Sequence, residues 1–141
     1  MENKALGLLS LARKGRKLEA GEEPVGMACR AQRARLVLLA GDASEHTVRR
    51  VQSYVSGTNQ PWLQLSCSKA ELGAAIGRSD CAMAALTDVR LALAFVNALG
   101  EPERYAALLV DLEARSLRVA QRQREERNHQ RNIRRGEKKK K

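Results

Sequence analysis

Arg124, Arg127, Arg131 and Arg134 recur at steps of three and four residues near the C-terminus, with Arg135 adjacent. On a continuous helix they fall within roughly 100° of arc, which lays a row of guanidiniums along one side. A guanidinium is permanently charged and presents a planar fork of donors that matches a phosphate group. The same segment, residues 117–141, holds eleven Lys/Arg against three acids, so eight of the chain's ten net positive charges lie there. Residues 1–116 are left with a net charge of only +2. A nearly neutral body with a polycationic end calls for an anionic partner, either nucleic acid or an acidic membrane surface. The segment has almost no large apolar residues, which a membrane-surface helix needs. Nucleic acid is therefore the expected partner, and no membrane contact is expected.

A second group of bases, Arg13-Lys14-Gly15-Arg16-Lys17, sits in a turn near the start of the chain. Soon after it comes Glu19-Ala20-Gly21-Glu22-Glu23-Pro24-Val25-Gly26-Met27, which has two adjacent carboxylates and no lysine. Acids in a helix's first turn favour the positive end of its dipole by about 0.3–1 kcal/mol. Pro24 gives up an N–H that needs no partner inside the helix. Other chemistry finds little support. Cys29, Cys67 and Cys81 are odd in number, form no Cys-x-x-Cys pair, and lie in apolar contexts that suit buried small hydrophobes in a reducing compartment. His46 and His129 lie far from any cysteine, so no metal site is expected. No nucleophile elbow or phosphate-binding glycine loop organises the Ser, His and Asp residues. The expectation is a protein without catalytic activity, cofactor or small-molecule substrate. The N-terminus lacks a signal-peptide core and no run approaches the length of a membrane span, which predicts a soluble cytoplasmic protein.

The elements that would position these residues can be read from periodicity. At 141 residues and 43% apolar, the chain can bury one core. Leu6, Leu8, Leu9 and Leu11-Ala12 predict a first helix ending at Gly15, and Lys17 to Glu19 a short strand. A second helix begins near Gly21 and carries Val25, Ala28, Cys29 and Gln32. Arg35 to Ala40 is a continuous apolar run, which marks a strand covered on both faces. Ser44 caps a third helix with Thr47, Val48, Val51, Tyr54 and Val55 on its inner face. Trp62 to Leu65 reads as a strand, and Ser68-Lys69-Ala70-Glu71 as a capping box opening a helix that ends at Gly77. Ala82 to Leu86 predicts a fourth strand and Asp88 to Leu99 a helix. Alternating strands and helices predict an α/β fold, a three-layer α-β-α sandwich, over residues 1–100. Residues 101–141 predict a long helix with Pro102 in its first turn. Its stripe of Tyr105, Leu108, Leu109, Leu112, Ser116 and Val119 suits docking on the body or on a partner. Lys138 to Lys141 predict an unstructured end.

Three stretches resemble one family: Leu8 to Arg13, Arg35 to Ser44, and Ser68-Lys69-Ala70-Glu71-Leu72-Gly73-Ala74-Ala75-Ile76-Gly77-Arg78. Together they are similar to the kink-turn-binding ribosomal protein superfamily, and with Gly21-Glu22-Glu23 most similar to its bacterial YlxQ-type branch. The resemblance covers about residues 3–98. It implies a mixed four-stranded sheet and non-enzymatic recognition of structured RNA, typically a sharply bent internal loop with sheared G·A pairs. It also implies a role in translation, with the ribosome or a translation factor as partner. The implied RNA-reading face joins Gly21 to Met27, Gly41 to Ser44, and Gly77 to Ala82. Within it Gly21, Glu22, Glu23, Met27, Gly41, Asp42, Cys81 and Ala82 are candidate contacts, and Cys81-Ala82 is an apolar seat for an extruded base. Arg13, Lys14, Arg16, Lys17 and Arg78 are candidate phosphate contacts around it. Recognition of unstacked RNA by shape is a common protein strategy. With only Tyr54, Trp62, Phe95 and Tyr105 as aromatics, a stacking platform is not expected.

The chain departs from the family pattern at informative positions. Gly21 is kept, but Glu23, Pro24 and Met27 stand where kink-turn binders carry polar and basic residues, and Arg16 stands where a glycine is common. Two functions from different classes follow. The first is RNA binding, with the body choosing a structured site and Arg124, Arg127, Arg131, Arg134 and Arg135 adding phosphate contacts. The second is a protein-interaction module on the same fold, engaging a partner through the stripe from Tyr105 to Val119.

Overall fold

The computed structural model describes residues 2–139. Their elements run α1 (Glu2–Lys14), β1 (Leu18–Ala20), α2 (Glu22–Arg30), β2 (Leu36–Leu39), α3 (Glu45–Val55), β3 (Trp62–Gln64), α4 (Lys69–Ala75), β4 (Met83–Leu86), α5 (Val89–Ala98) and α6 (Ala106–Lys139). The strands form one mixed sheet in the order β1-β4-β2-β3. β4 is antiparallel to both β1 and β2, while β2 and β3 run parallel.

The two central strands are buried on both sides, as a continuous apolar run requires. Successive side chains on β2 serve opposite layers. Leu36 and Leu38 join a core with Leu9, Leu72, Phe95 and Leu112, and Val37 and Leu39 join a second core with Val25, Cys29 and Val51. Helices α1, α4, α5 and α6 thus cover one face of the sheet, and α2 and α3 the other. Cys29, Cys67 and Cys81 are all buried and none is in a disulfide, as their apolar settings predict.

Local signals set most boundaries. Ser44 Oγ accepts from Thr47 N–H at the start of α3, and Ser68 and Glu71 form the reciprocal capping box of α4. Asp88 caps α5 by accepting from the N–H groups of Arg90 and Leu91.

Several expectations shift. β1 begins one residue late, at Leu18, because Lys17 belongs to the turn that closes α1. There Lys17 N–H bonds Ala12 C=O and Arg16 N–H bonds Arg13 C=O, the paired bonds of a Schellman motif. Arg16 is the left-handed residue of this motif, at φ 59, a conformation that glycine adopts without the steric cost a side chain brings. Gln32 is not an inner residue of α2. It sits beyond the helix end at φ 53, exposed, in a second Schellman motif closed by Arg33 N–H to Ala28 C=O.

Pro102 is outside α6, in a turn that precedes Ala106. The apolar stripe of α6 is spent on the body: Leu112 is fully buried in the α1/α5 core, with Tyr105, Leu108, Leu109 and Val119 half-buried against it. From Gln121 through Gly136 every residue is exposed. The helix continues through Lys138 and Lys139, where an unstructured end is expected; Lys140 and Lys141 lie outside the described residues.

Candidate RNA-binding face

Antiparallel β4 starts where β1 and β2 finish, so three connections meet at one end of the sheet. They are Gly21 into α2, Gly41 to Ser44 after β2, and Gly77 to Ala82 before β4. Gly21 N–H bonds Met83 C=O and Ala40 N–H bonds Ala82 C=O, which ties all three to β4. Gly21 adopts φ 95 and ψ 164, a backbone state essentially restricted to glycine. It starts α2 without a side-chain cap, leaving the first N–H groups and the positive end of the helix facing outward.

Two guanidiniums converge here. Arg78 Nη1 lies 3.2 Å from where a Cβ on Gly21 would stand, and Arg13 occupies the space that a side chain on Gly77 would fill. The loop that carries Arg78 is held tightly. Gly73 in α4 lets the Asp80 backbone approach so closely that a Cβ would fall 2.6 Å from its Cα. Arg78 N–H bonds Gly73 C=O at 2.8 Å and Cys81 N–H bonds Lys69 C=O at 2.9 Å. Gly41 is needed for a similar approach, 2.6 Å from Leu65 C=O. Asp42 has a structural partner: its carboxylate accepts from Lys69 N–H at the start of α4.

The candidate residues separate accordingly. Gly21, Glu22, Glu23, Met27, Gly41, Asp42, Arg13, Arg78 and Ala82 gather at this end, with Met27 60% exposed. Cys81 does not offer its side chain. It is buried, its Sγ–H donates to Met83 C=O, and burial pushes its thiol pKa up despite the nearby Arg78 charge. Only Ala82, half-buried, remains of the expected apolar seat. Lys17 belongs elsewhere: its C=O accepts from Thr87 and its Nζ pairs with Asp88 at 3.1 Å, at the opposite end of the sheet. Lys14 and Arg16 are exposed around the end of α1. Arg124, Arg127, Arg131, Arg134 and Arg135 lie on the exposed part of α6.

One participant escapes sequence inspection. Arg50 of α3 forms an ion pair with Glu22, and Tyr54 packs on Gly26 while its hydroxyl reaches Glu22 C=O at 3.5 Å. One of the two carboxylates that look out of place in this basic chain is thereby neutralised. The partners are 28 residues apart in sequence, and α3 carries no local signal that singles out Arg50. Among the described residues, no cluster of His, Cys, Asp and Glu could hold a metal ion, and no helix is long and apolar enough to cross a membrane.

An α-β-α sandwich with these three connections at one sheet end is the architecture of a large class of ribosomal and related proteins. The chain belongs to the ribosomal protein L7Ae/L30e/S12e/Gadd45 family, whose model matches residues 3–92. Within it, the relatives are of the YlxQ type. RNA-binding protein YlxQ of Bacillus subtilis (strain 168) is 36% identical over 92 residues, 65% of this chain and 91% of that protein. RNA-binding protein YlxQ of Enterococcus faecium is 37% identical over 75 residues, 53% of this chain and 72% of that one. Among solved structures, a protein of unknown function from Bacillus halodurans C superposes with a TM-score of 0.64 at 28% identity, covering 70% of this chain and 98% of its own. The Giardia lamblia 15.5kD RNA binding protein shares the fold with a TM-score of 0.58 at 19% identity, over 72% and 87% of the two chains.

Proposed function

We propose that this protein binds structured RNA, without catalysis, through the sheet end formed by Gly21 to Met27, Gly41 to Ser44 and Gly77 to Ala82. The observation that carries the reading is that two guanidiniums serve this sheet end, Arg78 beside Gly21 at the open N-terminus of α2 and Arg13 beside Gly77. Together they offer charge and unsatisfied N–H donors to phosphates and base edges within one small area. A rigid, shape-defined surface of this kind suits a bent RNA whose bases are already unstacked, and a kink-turn is the proposed motif. The names of the curated relatives support RNA as the ligand class. Arg124, Arg127, Arg131, Arg134 and Arg135 add phosphate contacts that do not depend on sequence. A ribosomal or other translation-associated RNA is the proposed cellular target.

The protein-interaction alternative would use the stripe from Tyr105 to Val119. That stripe is largely spent on the protein's own core, with Leu112 buried and Tyr105, Leu108, Leu109 and Val119 half-buried, which favours the RNA reading.

The test compares binding of a kink-turn RNA with a copy whose G·A pairs are replaced. It uses the full chain and a version ending at Gln123, which keeps every buried residue of α6. Both proteins should prefer the intact motif, and truncation should weaken binding of both RNAs and flatten the salt dependence. Equal affinity of the truncated protein for the two RNAs would remove kink-turn recognition, and absence of RNA binding at low salt would remove the whole reading.

A further inference from the structure

The excess charge of this chain is not gathered around the face described above. α6 starts beside Leu99, near the end of β3, and runs toward the other end of the sheet. Arg115 donates to Asn59 C=O just ahead of β3, and Gln123 accepts from Arg90 at the start of α5. The exposed part of the helix therefore leaves the body at the pole opposite Gly21, Gly41 and Gly77. Arg35 and Gly41 flank β2, and at about 3.3 Å per residue the two poles are about 20 Å apart.

At that far pole two adjoining clefts run between α6 and the sheet, sharing Arg35, Val89 and Val119 in their walls. Six bases line them, Lys17, Arg35, Arg90, Arg115, Arg118 and Arg122, against two acids, Asp88 and Asp111. Both acids are engaged: Asp88 pairs with Lys17 and caps α5, and Asp111 pairs with Arg115 at 3.0 Å. Arg35, Arg118 and Arg122 form no ion pair among the described residues. Arg115, Arg118 and Arg122 lie at helical steps of three and four, so they share one face of α6. The exposed arginine row farther along lies on the opposite side of the same helix, so the cleft bases form a group of their own.

We infer that this pole is a second RNA-backbone site, distinct from the family face, and that one molecule holds two RNA segments at once. The match is one of charge and shape: guanidiniums fixed on a docked helix and a strand start, around a polar cleft, suit a run of phosphates. No base-reading geometry is present there, so the occupant is the sugar-phosphate backbone of a duplex, whatever its sequence. Because the clefts are about 20 Å from Gly41, a compact RNA motif seated on the first face leaves them open to a second segment. The inference stands independently of kink-turn recognition.

The experiment uses the full chain, a short blunt-ended RNA duplex lacking any internal loop, and the kink-turn RNA. The double variant Arg118→Gln/Arg122→Gln changes two exposed side chains that take no part in the core. It should weaken duplex binding about tenfold at low salt and lower the salt slope by about 1.8, the value of two phosphate contacts on a duplex. Its affinity for kink-turn RNA should change less than about twofold, whereas Arg13→Gln/Arg78→Gln should show the reverse pattern. Donor-labelled kink-turn RNA and acceptor-labelled duplex should show energy transfer with the unaltered protein and lose it with Arg118→Gln/Arg122→Gln. Unchanged duplex affinity in that variant overturns the second site. Displacement of the duplex by one equivalent of kink-turn RNA, or binding of phosphatidylserine vesicles in preference to duplex, overturns it equally. If kink-turn preference itself fails, the duplex measurements on the two double variants still decide the question.

Discussion

Replacing Gly73 by alanine tests whether the loop that carries Arg78 is held by close backbone contact. In an unconstrained helix the change should stabilise by about 1 kcal/mol, because glycine is the poorest helix former after proline. At Gly73 the added Cβ would lie 2.6 Å from Asp80 Cα and 2.8 Å from both Asp80 C and Asp80 N. These are backbone atoms, and they must retreat by about 1 Å to reach ordinary contact, an overpacking cost of about 1–3 kcal/mol. The retreat also stretches the Arg78-to-Gly73 and Cys81-to-Lys69 hydrogen bonds. Net destabilisation of about 1–2 kcal/mol is expected, which lowers Tm by about 3–10 °C for a chain of this size. Gly7 in α1 is the matched control: it is exposed, nothing lies within 4 Å of its Cβ position, and Gly7→Ala should raise Tm by about 2–5 °C. Thermal unfolding by circular dichroism reads both. RNA binding should fall in Gly73→Ala and stay unchanged in Gly7→Ala, since only the former moves Arg78. A Gly73→Ala protein that melts at or above the parent would refute the close-contact account of this loop.

Other expectations follow from the same geometry. Arg16→Gly and Gln32→Gly each relieve a left-handed residue at a helix end and should raise stability by about 0.5–1 kcal/mol, read from denaturant midpoints. Met27→Lys places a cation on an exposed position of the α2 face and should tighten RNA binding several-fold with a steeper salt slope; no change would mean that RNA does not reach this turn. Burial alone favours the neutral Asp88 acid, but hydrogen bonds from Leu91 and Arg90 and the Lys17 charge outweigh it and hold its pKa below the ordinary value. Its contribution is therefore full above the ordinary carboxylate range and lost as pH falls below that range through the lowered folded pKa. Asp88→Asn, which keeps a capping side chain, should cost stability at about pH 6 and progressively less as pH falls below the ordinary carboxylate range, as urea midpoints would reveal. Burial raises the Cys29 and Cys81 thiols, so both should react with a thiol-specific reagent only as fast as the protein opens.

The readable parts of the fold are those whose signal is local. A capping box, a serine before an amphipathic run and an unbroken apolar stretch each act over a few residues, so Ser68 with Glu71, Ser44, and Leu36 to Leu39 set their elements from sequence. The site was legible only in outline. Gly21, Gly41 and Gly77 mark turns by their type, and the family pattern places them together. What a long side chain touches depends on elements far away in sequence, and there the reading failed. Lys17 and Arg13 are four residues apart in one basic turn, yet the Schellman closure sends Lys17 to Asp88 at one pole and Arg13 to Gly77 at the other. Glu22 looks like an unpaired acid until α3 brings Arg50 against it.

By itself, the sequence determined the layered α/β architecture, the helix starts and the concentration of charge near the C-terminus, because hydrophobic periodicity, capping and composition act locally. Only the tertiary structure decided where that charge goes. The stripe from Tyr105 to Val119 satisfies its apolar surface on α5, and that docking aims α6 away from the family face. A helix's composition states what it can bind, but its direction is set by the surface on which its apolar side is buried.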